Sequence, residues 1–245
     1  MIEYPKFAVG ENVSTKDADT MREFNAVLDR LVRRRVDQIE ISGPLRKSKL
    51  AWKVATYQQP VLYRIVMLAS GCALNWNAGN LLCAYLAARS LMETIAILLA
   101  FERELGDCIQ TTDFRRMDEL LTNRLFSTRD PDLISELPGT SSKNVLNFID
   151  EMDKRVFPGT REYYDSLSER CHPNSFGHYQ LFGRRDRETG TIRYSETHDL
   201  EGHLSFILLA CVLLGLVERS MNHLDAATAQ VSDIHHAAHP IVENG

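Results

Sequence analysis

The sequence has little that would mark a protein built to coat nucleic acid, or a common nucleotide-binding enzyme. Lys and Arg number 28 against 33 Asp and Glu, so the formal net charge is -5. A protein that mainly coats nucleic acid needs an excess of basic residues. No phosphate loop, dinucleotide-binding fingerprint or kinase signature occurs. These absences exclude the usual motif-bearing enzyme classes but leave local basic patches open.

Cysteine pairs with metal-ligand spacing are also missing, and the histidines outside the C-terminal tail are not spaced as helical zinc ligands. The five cysteines contain no C-x-x-C pair, and three of them sit in apolar helical patterns as small hydrophobes. This usage predicts a reducing, cytoplasmic compartment. His198 and His203 are five residues apart, not the four that places two helical ligands on one zinc. His235, His236 and His239 fall in a tail expected to fray. We predict no metal and no cofactor. The cysteines are Cys72, Cys83, Cys108, Cys171 and Cys211.

Neither a secretion signal nor a membrane span is predicted. Residues 1–17 lack a basic region followed by an apolar one. The apolar run 206–217 has 12 residues, which is too short to cross a bilayer. The run 81–101 is long enough, but Arg89 and Glu93 lie at its centre, where charges are costly in lipid. Both runs are typical of core helices in a soluble bundle.

Helical periodicity dominates what remains. Apolar spacings of three and four predict helices at about 15–39, 47–74, 80–105, 111–126, 142–157, 160–171 and 198–229. Pro60 predicts a kink or break near residue 59, and Gly106 predicts the end of the third helix. Residues 178–196 fit a small β-hairpin or an excursion loop.

This pattern predicts an all-α fold. We expect a single helical bundle of five to seven helices with a small non-helical insertion near 173–197. No repeat, low-complexity segment or Gly- or Ser-rich linker divides the chain, so residues 1–245 are predicted to be one domain. The termini, 1–14 and 232–245, are expected to be frayed.

Arg89 and Glu93 form the first candidate site. Their i, i+4 spacing places both on one face of an otherwise apolar helix. Burying either charge alone costs several kcal/mol, so each needs a partner. One interpretation is an ion pair that fastens a neighbouring helix. The other is a pair that points into a pocket and holds a polar or anionic ligand.

The stretch "YYDSLSERCHPNSFGHY" (163–179) forms the second candidate site. Tyr164, Ser168 and His172 follow i, i+4, i+8, which predicts one stripe on a helix, with Leu167 and Cys171 beside it facing the core. His172 is the candidate acid/base, because its unperturbed pKa lies near neutrality, and Ser168 and Tyr164 would orient it. The alternative is a helix stop at Pro173 with a hydrogen-bonded histidine.

Basic residues follow directly. Arg170 and His178 are further candidate ligand-binding residues, and "GRRDR" (183–187) with His178 could contact phosphates. The alternative is a solvated loop tip, and Asp186 and Glu188 weaken a nucleic-acid function there.

Two segments together resemble a known family. A helix "ARSLMETIAILLAF" followed about seventy residues later by "YYDSLSERCHPNS" resembles a HEPN-like group of uncharacterised all-helical bacterial proteins. The matching positions are Arg89, Glu93, Tyr164, Leu167, Ser168 and His172. The resemblance covers about residues 55–225 and implies a helical bundle, often dimeric. Many members are ribonucleases or toxin and defence components that use an Arg-x4–6-His motif at a dimer cleft.

This chain departs from that motif. Arg170 and His172 are separated by one residue, and Arg170 and His178 by seven. Two functions therefore stay open. The first is a HEPN-like RNA- or nucleotide-directed protein of a bacterial defence or stress system, expected to be a homodimer and not to bind DNA. The second is a non-catalytic interaction or small-ligand-binding bundle in which the Arg/Glu/His cluster is structural.

Overall fold

A computed structural model describes residues 4–11, 13–196 and 202–240. The fold in this part of the chain is all-α, as predicted, with a single two-stranded sheet. The elements are α1 (Thr15–Arg34), α2 (Pro44–Lys47), α3 (Lys49–Asn77), α4 (Leu81–Thr111), α5 (Phe114–Phe126), α6 (Pro131–Glu136), α7 (Val145–Arg155), α8 (Thr160–Cys171), α9 (Tyr179–Phe182), β1 (Gly183–Arg185), β2 (Ile192–Tyr194), α10 (Leu204–Val212) and α11 (Leu214–Ala238).

The centre of the bundle is the helical hairpin α3–α4, whose helices have 29 and 31 residues. A short turn joins them, so they run antiparallel. Helices α11 and α5 each pack on both α3 and α4. Helices α7, α8 and α10 pack on α4. The buried apolar side chains of all these helices form one contiguous cluster. Small residues such as Ala84 and Ala88 are fully buried in α4, which agrees with its central place.

Two helical runs are long and apolar enough to cross a membrane by composition alone. They are Leu81–Thr111 and Leu204–Ala238, and 56% of the most apolar window of each is buried inside the bundle. Core helices of soluble proteins pass the same test, so this is weak evidence for a span.

The prediction of a break at Pro60 is wrong. Helix α3 continues through Pro60, which is exposed, while Leu62 and Ile65 behind it are fully buried. Burial of each such side chain contributes about 1.5–3 kcal/mol, which offsets the loss of one backbone hydrogen bond on the wet face.

The predicted end of α4 at Gly106 is also wrong. The helix runs to Thr111 because Cys108 and Ile109 continue the buried stripe. It ends where Thr112 adopts a left-handed conformation with φ 53°, and the Thr112 N–H donates to the Ile109 carbonyl. Non-glycine residues seldom adopt that conformation, so the signal was absent from the sequence.

Fraying of residues 1–14 and 232–245 stays a prediction, and described residues near each end have defined contacts. Phe7 is 3% exposed and packs edge-on against Phe24, and its backbone N–H and carbonyl both bond to the Asn25 side chain. At the other end α11 continues to Ala238. The predicted start of the last helix at 198–201 lies outside the described residues.

The insertion after α8 contains the predicted hairpin. Strands β1 and β2 pair antiparallel, with Gly183 opposite Tyr194, Arg184 opposite Arg193 and Arg185 opposite Ile192. One helical turn, α9, precedes it, so the insertion is not wholly non-helical.

Candidate functional site

Three side chains join α4 to α8, and we refer to Arg89, Glu93 and Tyr164 as the Arg89 cluster. Arg89 Nε donates to Glu93 Oε1 at 3.1 Å and to Tyr164 Oη at 3.3 Å. The Tyr164 hydroxyl donates to Glu93 Oε1 at 2.6 Å. Every pair in the cluster is therefore hydrogen-bonded, and the Arg89–Glu93 contact is the ion pair that was one of the two interpretations of their i, i+4 spacing.

Burial sets the character of the Arg89 cluster. Tyr164 is 2% exposed, and the side chains of Arg89 and Glu93 are 26% and 23% exposed. Burial raises the pKa of Tyr164, and the neighbouring Glu93 carboxylate raises it further, so the hydroxyl stays protonated as a donor. The two charges cancel, and the guanidinium lies over the Tyr164 ring at 5.6 Å. The three side chains therefore connect α4 to α8 and stabilise their packing.

Two further side chains of α8 lie on this side of the helix. Ser168 Oγ is buried with no hydrogen-bond partner among the described residues. Cys171 packs against the core as predicted, and burial raises the pKa of its thiol to about 11, against the opposing effect of Arg89. A thiol with that pKa is protonated at neutral pH and is a poor nucleophile. Neither residue supplies an attacking group.

His172 does not continue the predicted stripe. Helix α8 ends at Cys171, and His172 is the exposed C-terminal cap with extended backbone, φ -81° and ψ 150°. The stripe assumed helical geometry to residue 172, but the following proline disfavours that conformation. No hydrogen bond joins the described His172 side chain to the Arg89 cluster. The predicted acid/base group is therefore not hydrogen-bonded to the predicted ligand-binding pair, although its neighbour Cys171 lies close to Arg89.

The loop after α8 is tightly built. Asn174 Oδ1 accepts the backbone N–H groups of Phe176 and Gly177, and Asn174 Nδ2 donates to Glu169. At Gly177 an added Cβ would lie 2.0 Å from the His172 carbonyl oxygen. Only glycine fits this close approach. The loop is thus a defined connection, and it leaves His178 exposed at its end.

Arg170 belongs to an aromatic cluster rather than to the Arg89 cluster. Its guanidinium carbon lies 3.7 Å from the Phe206 ring centroid, and Nη1 donates to the Ser166 carbonyl. Nearby, Tyr85 Oη and His203 Nδ1 are 2.5 Å apart, and burial raises the pKa of Tyr85 to about 12. Sequence reasoning missed Tyr85, although it lies four residues before Arg89 and so on the same face of α4.

The second polar region is the arginine hairpin, residues 183–194. Its four arginines are exposed, and none pairs with an acidic side chain of the described residues; Arg184 donates only to two backbone carbonyls. Arg184 and Arg193 lie directly opposite each other in the sheet. Like charges at such positions repel. The four are Arg184, Arg185, Arg187 and Arg193.

Aromatic side chains accompany these arginines. Tyr194 is 73% exposed and Tyr179 is 40% exposed. Directly opposite residues share a face of the sheet and successive residues alternate between faces, so Tyr194 shares a face with Arg185, while Arg184 and Arg193 share the other.

One acidic residue of the hairpin, Asp186, forms hydrogen bonds within its turn. Asp186 Oδ1 accepts the backbone N–H groups of Glu188 and Thr189. Hydrogen bonds from Thr189, first its side chain and then its backbone, hold the pKa of Asp186 below its usual range, so the carboxylate stays ionised. It therefore offsets part of the arginine charge without pairing with any one of them.

A surface depression of about 600 Å³ lies beside α8, but it does not unite the predicted site residues. Four acidic residues and Arg161 line most of it, and Arg161 is itself paired with Asp150 and Asp165. Its lining includes neither Arg89 nor His172. An acidic depression repels anions, so it gives no support to a phosphate site there. The acidic residues are Asp153, Glu162, Asp165 and Glu169.

Comparison with protein-family models, with curated proteins and with solved structures gave no match. The functional argument therefore rests on the geometry and charges of this chain.

Proposed function

We propose that this chain is an RNA-directed helical-bundle protein that binds single-stranded RNA through the arginine hairpin and does not cleave it. The observation that carries the proposal is the set of four exposed arginines without acidic partners among the described residues, with exposed Tyr194 on the same face of the hairpin as Arg185. Arginine grooves interleaved with aromatic rings are the general means by which proteins bind single-stranded nucleic acid.

The like-charge pair across the hairpin supports a phosphate ligand. Arg184 and Arg193 face each other in the sheet, and no described carboxylate neutralises them. A phosphate bound between them would accept charge-assisted hydrogen bonds from both guanidinium groups and remove their repulsion. Because the whole chain carries a net charge of -5, attraction to RNA phosphates must come from this local group of arginines rather than from the overall charge.

The exposed tyrosines supply the second part of the interaction. Tyr194 is 73% exposed, although burial of its aromatic ring would be favourable. Its exposure therefore does not serve the stability of the fold. Stacking of a base on an aromatic side chain contributes about 1–3 kcal/mol. The unpaired bases of single-stranded RNA are available for that contact. The resemblance to HEPN-like proteins agrees with this substrate class, because many members of that group act on RNA.

The proposed absence of cleavage rests on the lack of a hydrogen bond between His172 and the Arg89 cluster. General acid/base chemistry requires a histidine within hydrogen-bond reach of the reacting atoms, with a cation placed to stabilise the phosphate. His172 is exposed on the loop, while Arg89 is engaged with Glu93 and Tyr164. This favours the structural interpretation of the Arg89 cluster. The homodimer and the cytoplasmic location stay predictions.

Fluorescence anisotropy with a labelled oligouridine of about twelve nucleotides tests the proposal, since such a length spans the usual site size. Arg193→Ser should weaken binding about fivefold and lower the salt slope by about one, since one phosphate contact is lost. Arg115→Ser is the matched control, because Arg115 is 90% exposed on α5 and distant in sequence from the hairpin. Equal loss in both variants, or no binding at about 50 mM salt, overturns the proposal.

A further inference from the structure

Two histidines at the end of α11 lie together. His235 and His239 are four residues apart, and although His239 is the C-terminal cap of α11, with φ -136° and ψ 73°, its ring lies beside that of His235. Their ring centroids are 5.2 Å apart. Two imidazoles that bind one tetrahedral zinc through bonds of about 2.0–2.1 Å have centroids about 5 Å apart.

A third ring fixes both histidines. Phe114, the first residue of α5, packs edge-on against His235 at 5.3 Å and against His239 at 5.7 Å, centroid to centroid. Because the two imidazoles rest on one ring, less rotamer freedom remains to be lost when a ligand joins them.

The pair also leaves hydrogen-bonding capacity unused. Nδ1 of His235 is buried and has no hydrogen-bond partner among the described residues, and the same holds for Nδ1 of His236. Buried polar atoms are normally satisfied, and an orphan calls for an explanation such as an ion or a water molecule. The last carbonyl groups of α11 add the negative end of the helix dipole, which favours a cation at this position.

We propose that His235 and His239 bind one divalent transition-metal ion of the zinc, nickel or copper class. Imidazole nitrogen suits these ions, whereas magnesium and calcium prefer oxygen ligands. No group of three or more His, Cys, Asp and Glu side chains converges in the described part of the chain. Water would complete the coordination, so the site is open. A bound ion would link the last two turns of α11 above Phe114. This inference is independent of RNA binding.

Calorimetric titration of the tag-free, full-length chain with NiCl2 and with ZnCl2 tests this proposal, with MgCl2 as the control ion. Wild type should bind one nickel or zinc ion and no magnesium. His239→Ala, at an exposed position, should weaken binding about tenfold or more, because one of the two ligands is lost. His236→Ala is the matched control, because that ring points about 100° further around the helix.

A thermal melt with the same ions provides the second measurement. Binding to the native state alone raises the melting temperature, and the rise should be present in wild type and His236→Ala and absent in His239→Ala. The proposal is overturned if wild type binds neither nickel nor zinc. It is also overturned if His239→Ala retains wild-type affinity, or if His236→Ala loses as much as His239→Ala.

Discussion

The Arg89 cluster and the arginine hairpin use the same residue type in opposite ways. Arg89 is 26% exposed and bonded through Nε to both a carboxylate and a phenol. Arg193 is exposed on β2, opposite another arginine and without an acidic partner among the described residues. The first arrangement joins two helices, and the second leaves charge available to a ligand.

The physical reason for the difference is desolvation. A guanidinium that loses water must gain a partner in the protein, so Arg89 brings Glu93 and Tyr164 with it. A guanidinium that stays in water has no such requirement, and its repulsion of a like neighbour costs only a few tenths of a kcal/mol. Partnered charge in the bundle therefore indicates structure, and we propose that the arginines of the hairpin, which have no acidic partner among the described residues, bind a ligand. Each substitution below alters one side of this comparison.

The largest effect is expected at Tyr164. Tyr164→Ala should lower the free energy of unfolding by about 3–5 kcal/mol, because it removes a fully buried ring as well as a hydroxyl that satisfies Glu93. Tyr164→Phe should cost about 1–2 kcal/mol, the share of the hydrogen bonds alone. Urea unfolding measures both. Tyr194→Ala, on the hairpin, serves as the control and should stay within about 0.5 kcal/mol of wild type.

Arg89 comes next. Arg89→Ala should lower the free energy of unfolding by about 1–3 kcal/mol, less than for a fully buried pair because both charges keep some contact with water. The same measurement on Arg115→Ala should show a change below about 0.5 kcal/mol. A stable Arg89→Ala variant would contradict the structural function that we assign to the Arg89 cluster.

Gly177 tests the connection between the two regions. Gly177→Ala places a methyl group against the His172 carbonyl, at 2.0 Å before relaxation, so the loop must move. We expect a loss of about 1–3 kcal/mol and faster amide exchange in residues 172–196, with α3 and α4 unaffected. Gly10→Ala is the control, because no atom lies within 4 Å of its added methyl group. Unchanged exchange in the loop would refute this account of Gly177.

The smallest effect is expected at Asp186 of the arginine hairpin. Asp186→Asn keeps an acceptor oxygen for the Glu188 and Thr189 amides but removes one negative charge beside the arginines. We expect RNA affinity to rise about twofold in low salt, with the melting temperature unchanged within error. The gain should disappear at high salt, where such interactions are screened. A fall in affinity would show that Asp186 acts in binding through more than its charge.

The sequence was sufficient for the fold class and for part of the site. Helical periodicity located the bundle, and the i, i+4 spacing of Arg89 and Glu93 predicted that the two lie on one face of α4. Local rules failed where burial decided the outcome. Pro60 did not interrupt α3, and Gly106 did not end α4, because buried side chains continue beyond both residues.

The remaining site features depend on information that spacing does not contain. His172 left the stripe because α8 ends one residue earlier, and a single residue at a helix end changes the direction of a side chain completely. The opposition of Arg184 and Arg193 depends on strand register, which the sequence left open between a hairpin and a loop. The rings of His235 and His239 lie close together because α11 extends to Ala238.

The central claim is that the Arg89 cluster stabilises the fold while the arginine hairpin binds RNA. The most direct test measures urea stability and oligouridine affinity for the same two variants, Tyr164→Phe and Arg193→Ser. We predict that Tyr164→Phe loses about 1–2 kcal/mol of stability with unchanged affinity, and that Arg193→Ser keeps its stability and loses about fivefold in affinity. The reverse pattern, in which Tyr164→Phe abolishes binding and Arg193→Ser does not, would contradict the account.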